Sequence, residues 1–249
     1  MGLINSVFNT NKPIRPYYLG ALRVDMHSHL IPGIDDGSQS MDQTIGMLLR
    51  MVDLGYQKII TTPHVMFDYY RNNPETILGG LKAVRAEVKR LNIPIEIEAA
   101  AEYFYDEYFL KILETEKLLT FGDRELLFEF SFGAKPNNID ELIFKIKTNG
   151  YKPVLAHYER YIFFLEEGIE PAVKMREKGV KIQMNLNSLT GHYGPAIKKQ
   201  AELMLDNGIV DYLGTDCHRI EHLDILEKNL DKKYFRKLRD LSFQNKNLL

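Results

Sequence analysis

The 249-residue chain has one cysteine, Cys217, and no tryptophan. A lone thiol forms neither an internal disulfide nor a thiolate zinc knuckle, so a bound metal must be held by nitrogen and oxygen, and the composition suits a reducing, cytoplasmic location. No run approaches the ~18 apolar residues of a membrane span. The opening MGLINSVFNTNKPIRP has no basic stretch leading into an apolar one, so neither membrane insertion nor export is expected. Positive charge is not in excess: 32 Lys and Arg face 34 Asp and Glu, a formal net charge of −2 that offers no overall basic field to nucleic acid. HSHLIPGIDDG is no G-x-G-x-x-G, which argues against an open dinucleotide-binding sheet. Cys217 also lacks the arginine of a Cys-x5-Arg phosphatase loop, since Leu223 stands at that position; the thiol reads as a small packing group.

Against these absences stand seven apolar, β-branched runs: ALRVDMH (21–27), QKIITTPH (57–64), IPIEIEAAAE (93–102), ELLFEF (125–130), KPVLAH (152–157), VKIQMNLN (180–187) and IVDYLGTD (209–216). Each reads as a strand. Helically spaced segments separate them at 40–55, 73–92, 105–117, 138–150, 170–179 and 195–208. In the first, Met41, Ile45, Leu48, Leu49 and Val52 share one side, and Gly55 suits a C-terminal cap. Strand alternating with helix, with no break in composition, predicts a parallel sheet in an α/β fold, and the number of units favours a (β/α)7 barrel. The length fits one such domain, burying roughly 70–75% of the unfolded surface. The basic tail from Leu226 onward reads as a solvated outer helix.

In a parallel barrel the loops after the strands share one rim, and that rim carries the chemistry. His27 and His29 end the first strand, His64 the second, Glu102 the third, Glu129 the fourth, His157 the fifth, and Asp216 and His218 the seventh. Alone, each would read as a hydrogen-bonded structural residue, which is the reading kept for His192 and His222. Together, five of seven histidines fall at the rim, where random placement would scatter them. His-x-His and Asp-x-His each place two side chains on one face of an extended strand. So many ligand types exceed what one ion holds and imply two or three divalent ions sharing a bridging carboxylate. The imidazole and carboxylate mixture suits Zn²⁺, Mn²⁺ or Fe. Such ions generate a hydroxide near neutral pH and clamp the oxygens of an in-line displacement, so phosphate ester hydrolysis is the natural use. Arg160, three residues past His157, and Arg71, after His64, are candidates for the phosphate contact. Periodicity leaves the choice between Asp35 and Asp36 open.

The motifs DMHSHLIPGIDDGS (25–38), TTPHV (61–65), AAEYFYDE (100–107), LLFEFS (126–131), AHYERY (156–161) and TDCH (215–218) together resemble the PHP superfamily, named for polymerase and histidinol phosphatase. The resemblance is closer to the bacterial tyrosine-protein phosphatases of capsule and exopolysaccharide operons. It implies a distorted TIM-like (β/α)7 barrel over residues 24–249, with 1–23 as an N-terminal extension, and a site of three metal ions, often manganese. By motif, His27, His29, Glu102 and Asp216 would hold one ion, a bridging Glu102 with Glu129 and His157 a second, and Asp36, His64 and His218 the third. Asp-Asp-Gly thus assigns the ligand to its second aspartate, and Arg160 matches the phosphate-contacting arginine. For a second family arginine, expected soon after the Asp-x-His motif, Arg219 is the one counterpart.

The implied activity is hydrolysis of phosphotyrosine by a metal-bridging hydroxide, with a tyrosine-rich tail of a bacterial kinase as the partner. Tyrosinate leaves with a pKa near ~10, so a strong general acid is unnecessary. Rival readings are a histidinol-phosphate or other small-molecule phosphatase, a nuclease, and a non-catalytic domain stapled by metals. The near-neutral charge disfavours the nuclease. A placed arginine disfavours the staple, because structural sites close their coordination. Some relatives form rings through the first helix, whose acidic and arginine pattern MDQTIGMLLR does not clearly repeat, so an oligomer is left open.

Overall fold

The structure, a computed structural model, describes residues 19–249; most of the expected N-terminal extension, residues 1–18, lies outside the described residues. Strands β1 (Val24–Asp25), β2 (Lys58–Thr61) and β4 (Glu96–Ala99) form one parallel sheet. A second parallel sheet contains β3 (His64–Val65), β5 (Glu102–Phe104), β6 (Glu125–Glu129), β7 (Lys152–Leu155), β8 (Lys181–Asn185) and β9 (Tyr212–Gly214), in that order. With helices α1 (Met41–Leu54), α2 (Pro74–Arg90), α3 (Glu107–Thr115), α4 (Ile139–Thr148), α5 (Ile162–Leu165), α6 (Glu170–Glu177) and α7 (Pro195–Asp206) between the strands, this is a mixed α/β fold built on parallel sheets.

Each of the seven expected segments contains strand, but the second and third are each broken in two. Pro63 has no N–H to give a ladder, so β2 ends at Thr61 and the chain restarts as β3 in the other sheet. The third segment shifts in parallel at Ala100 and Ala101. Glu102 N–H donates to the Pro63 carbonyl at 3.1 Å, and His64 then pairs with Glu102 in register. The two breaks therefore set a candidate histidine directly beside a candidate glutamate.

The two sheets meet where the first strand lies beside the last. Backbone contact is confined to the upper end: Asp216 N–H donates to His27 O at 2.8 Å, His29 N–H to Cys217 O at 2.9 Å, and Ser28 bridges Cys217. Lower down, side chains fill the gap. Asp25 accepts from Thr215 N–H at 2.7 Å and from its hydroxyl at 2.9 Å. Asn245, buried in the short helical turn Gln244–Leu248, donates to Val24 O at 3.0 Å and Leu213 O at 2.7 Å and accepts from Leu213 N–H at 3.0 Å. Val24, Met26, Ile60, Leu127, Val154 and Tyr212, drawn from both sheets, form a buried cluster separate from the larger core against the helices.

Helix α1 (Met41–Leu54) starts at a Ser40 cap and ends, as expected, at left-handed Gly55. Its buried face is Thr44, Met47, Leu48, Met51 and Leu54; the expected Met41, Ile45, Leu49 and Val52 are only partly buried, because α1 packs against two neighbours and its apolar stripe is broad. The basic tail is two helices rather than one, α8 (Ile220–Asn229) and α9 (Lys232–Asp240), interrupted at Leu230 and Asp231. Removing Asn245 leaves two carbonyls and an N–H without their partner. Asn245→Ala is expected to lower the unfolding free energy by about 2–4 kcal/mol in urea titration followed by circular dichroism; an unchanged midpoint would show that water replaces the side chain.

Candidate metal centre

His27 and His29 follow β1 on one face, and both are fully buried. Each is anchored through one ring nitrogen. His27 Nδ1 lies 3.0 Å from Gln183 Oε1, and His29 Nδ1 lies 2.8 Å from Asp35 Oδ2. Their Nε2 atoms face the same two carboxylates: Glu102 Oε2 at 3.2 and 3.5 Å, and Asp216 Oδ1 at 3.5 and 3.4 Å. His64 Nδ1 lies 3.1 Å from both Glu102 Oε2 and Glu129 Oε1, and its Nε2 is 3.5 Å from Asp36 Oδ1. His157 Nε2 is 3.0 Å from Glu102 Oε1 and 3.6 Å from Glu129 Oε2. His218 Nε2 reaches Asp36 Oδ1 at 3.5 Å. All nine side chains expected at a metal site are thus brought together.

The local backbone is shaped for this. Gly37 passes so close to His29 that a Cβ would lie 2.3 Å from the His29 carbonyl, which instead accepts the Ser38 N–H at 3.0 Å. Only glycine lets the Asp35-Asp36 loop fold back over the strand end. His157 and Asp216 turn off their strands at φ 32° and 50°, in the left-handed region that side chains disfavour.

Four groups of converging ligand atoms result, each with its atoms within 4.8 Å of one another: His29, Asp36, His64 and His218; His27, His29 and Asp216; His27, Glu102 and His157; and His64, Glu102 and Glu129. Asp36, His64 and His218 fall together as the resemblance implied. Glu102 meets Glu129 in company with His64, and meets His157 in company with His27. Asp35 is committed elsewhere, its Oδ1 accepting from Gly37 N–H at 2.9 Å and its Oδ2 from His64 N–H at 3.1 Å. His27 Nε2, His29 Nε2, His64 Nδ1 and Glu102 Oε2 are buried without a hydrogen-bond partner, although each stands within 3.5 Å of an opposing atom. They converge on shared space, so the residues fit divalent cations bound by nitrogen and oxygen.

Arg160 stands beside these groups. Its Nη1 donates to Asp216 Oδ2 at 2.9 Å, and its guanidinium lies between the rings of Phe132 at 4.3 Å and Tyr193 at 4.4 Å. A cleft of about 220 Å³ opens over the centre, lined also by His192, Arg219 and His222. A second cleft of about 500 Å³, between α1 and the start of α8, shares Asp36, His218 and Arg219 with it. Arg71 does not line either cleft; its Nε donates to Phe67 O at 2.8 Å and its guanidinium covers the Phe67 ring.

The family model for capsular polysaccharide synthesis, CpsB/CapC, matches residues 23–247. The chain belongs to the CpsB/CapC family. It is 27% identical over 214 residues to the tyrosine-protein phosphatase YwqE of Bacillus subtilis (strain 168), covering 82% of this chain and 84% of that one. Its fold is similar to a solved structure from work on YwqE of B. subtilis and CpsB of Streptococcus pneumoniae, described as unique metal-dependent tyrosine phosphatases, with a TM-score of 0.74, 24% identity, and coverage of 88% of this chain and 96% of that one. It is also similar in fold to histidinol phosphate phosphatase of Lactococcus lactis, solved with zinc, L-histidinol and phosphate, with a TM-score of 0.54, 13% identity, and coverage of 89% and 94%.

Histidines 192 and 222, read from sequence as structural, line the cleft of this CpsB/CapC protein. His222 had a signal, since it lies four residues after His218 in the first turn of α8; His192, Tyr193 and Phe132 had none. Gln183 and Asn185 were also missed, although two amides at i and i+2 alternate with the apolar Ile182 and Met184 along the strand.

The centre carries strong opposed charge. Burial alone would push Glu102 up, but His27 and His64 outweigh it and hold the carboxyl well below its usual range. Burial alone would push His64 down, but Glu102, with Glu129, pushes it up to about 9. Metal-free His64 is therefore protonated at neutral pH, and a cation must displace that proton. With its folded value above the unfolded one near 6.5, His64 stabilises the metal-free fold fully below about 6.5, and this contribution is lost as pH rises through about 9. Adding Mn²⁺ to chelator-stripped protein at pH 7 should release protons, seen as a titration heat that varies with buffer ionisation enthalpy. Heat independent of buffer would show that the imidazoles were already neutral.

Proposed function

We propose that this CpsB/CapC protein is a metal-dependent phosphoric monoester hydrolase of the cytoplasm that removes phosphate from phosphotyrosine in proteins, its partner being the tyrosine-rich tail of a bacterial kinase that controls capsular and exopolysaccharide synthesis. The observation that carries this reading is the set of unpartnered, buried ligand atoms on His27, His29, His64 and Glu102 beside the aromatic-clamped Arg160. The two parallel sheets, joined at Ser28 and Cys217, are read as one distorted PHP-type (β/α)7 barrel over residues 24–249. Three divalent ions, manganese with iron or zinc as alternatives, would be held by His27, His29, Glu102 and Asp216; by Glu102, Glu129 and His157; and by Asp36, His64 and His218. When bound, they would supply an activated water and positive charge for the phosphate oxygens.

The protein groups do the rest. Asp216 Oδ2 and the two aromatic rings hold Arg160 with its remaining N–H groups free to orient a phosphate. Arg219 lines the same cleft, and Arg71 has no part in this reading. A tyrosinate leaving group, with a pKa near ~10, departs without a strong general acid. The carboxylates lining the cleft are Asp36, Glu102, Glu129 and Asp216, all within the ligand set. None is left over to pair with the amine of histidinol phosphate, which favours the tyrosine substrate. The adjoining cleft offers room for residues that flank it.

Turnover of a phosphotyrosine peptide should vanish on chelation, return with Mn²⁺, exceed turnover of histidinol phosphate, and fall about 10²-fold in kcat/KM in Arg160→Ala. Preference for histidinol phosphate would keep the centre and reassign the substrate. Hydrolysis of neither would return the chain to the nuclease and non-catalytic readings.

A further inference from the structure

Strand β8 places Gln183 and Asn185 on one face, both fully buried. Two buried amides in a sheet are costly unless their hydrogen bonds are made. Gln183 Oε1 lies 2.8 Å from the backbone nitrogen of His157, which can only donate, so this end of the amide is the oxygen. The same oxygen is 3.0 Å from His27 Nδ1, which must then carry a proton, so Nε2 is the nitrogen that faces Glu102 and Asp216 and is left to a cation. Gln183 Nε2 donates to Asn185 Oδ1 at 2.9 Å, and this fixes the second amide the same way. Asn185 Nδ2 therefore donates to Asp216 Oδ2 at 2.7 Å, the oxygen that also accepts from Arg160 at 2.9 Å. Asp216 Oδ2 is thereby occupied twice, and Oδ1 alone faces His27 and His29.

The path from β8 to His27 crosses β9, where Asn185 pairs in register with Gly214. A Cβ on Gly214 would lie 2.9 Å from Gln183 Nε2 and 2.6 Å from the His27 Cβ. A glycine at this point leaves the amide its passage.

We propose that Gln183 and Asn185 are positioning residues: a hydrogen-bond chain donated from the His157 backbone through Gln183 and Asn185 ends on Asp216, where Arg160 also donates, and this chain fixes the His27 tautomer, restricts Asp216 to one metal-facing oxygen and seats the phosphate-facing arginine. The inference rests on the phosphatase reading above and adds a coupling between metal affinity and substrate affinity. Gln183→Met removes the anchor of His27, and Asn185→Asp replaces the donor to Asp216 with a second carboxylate.

The test measures Mn²⁺ affinity by chelator competition, KM and kcat for a phosphotyrosine peptide at saturating Mn²⁺, and metal-free thermal stability, in wild type, both variants and the double variant. Gln183→Met should lose roughly 10–100-fold in Mn²⁺ affinity, a usual loss for an outer partner of a ligand. Asn185→Asp should raise KM at least about tenfold with a smaller change in kcat, as Arg160 loses its seat. The double variant should fall short of the summed losses, because both residues belong to one chain. If Gln183→Met does not fold, Gln183→Glu serves: it keeps both accepted bonds and loses the donation to Asn185, so Mn²⁺ binding should persist while KM rises. Unchanged affinity and KM in variants of an active wild type overturn the inference alone, even if their thermal stability drops. A wild type that binds no Mn²⁺ overturns the phosphatase reading and this inference with it.

Discussion

The structure turns on one carboxylate. Glu102 has no exposure to solvent and stands within 3.2 Å of imidazole nitrogens from His27, His64 and His157, which come from three different parts of the sheet system. A buried carboxylate is tolerable only where positive charge or donors surround it, and here positive charge must come from protonated imidazoles or from cations. Protonated imidazoles would repel one another: His29 and His218 stack with centroids 3.9 Å apart, and His29 and His64 are 4.5 Å apart. Cations relieve both demands at once, which ties the folding of this rim to its chemistry.

The fold then serves to bring these groups together. The break at Pro63 and its companion at Ala100 and Ala101 deliver His64 and Glu102 side by side. Positive φ at His157 and Asp216 turns two further strand ends inward, and Gly37 and Gly214 clear space for His29 and for Gln183. Outer partners such as Asp35 and Gln183 hold the far side of each ring, so the near nitrogen stays aimed at the centre.

Much of this was legible in the chain. Eight of the nine ligand candidates were found because strand ends of a parallel fold share a rim, so polar residues at the ends of apolar runs must meet; the ninth, Asp36, came from the family resemblance alone. Periodicity could not separate Asp35 from Asp36, because both sit in a loop; the resemblance chose Asp36, and the physical reason lies in hydrogen bonds of Asp35 to His29, Gly37 and His64 that no spacing encodes. The double breaks were missed because β2 and β3 read as one apolar run and Pro63 was its only warning. Arg71 was a second candidate for the phosphate contact in sequence, yet a short loop returns it onto Phe67. Phe132 and Tyr193, which clamp Arg160 from distant segments, carry no local signal at all.

The most direct test of a cation-filled centre is a crystal structure of the protein grown with Mn²⁺, with data collected at the manganese absorption edge. Anomalous peaks should fall among the nine side chains, with Glu102 contacting two ions and Asp216 contacting one through Oδ1. A map with no peak there, and with the histidines paired directly to Glu102 and Asp216 as salt bridges, would contradict the metal-centred reading.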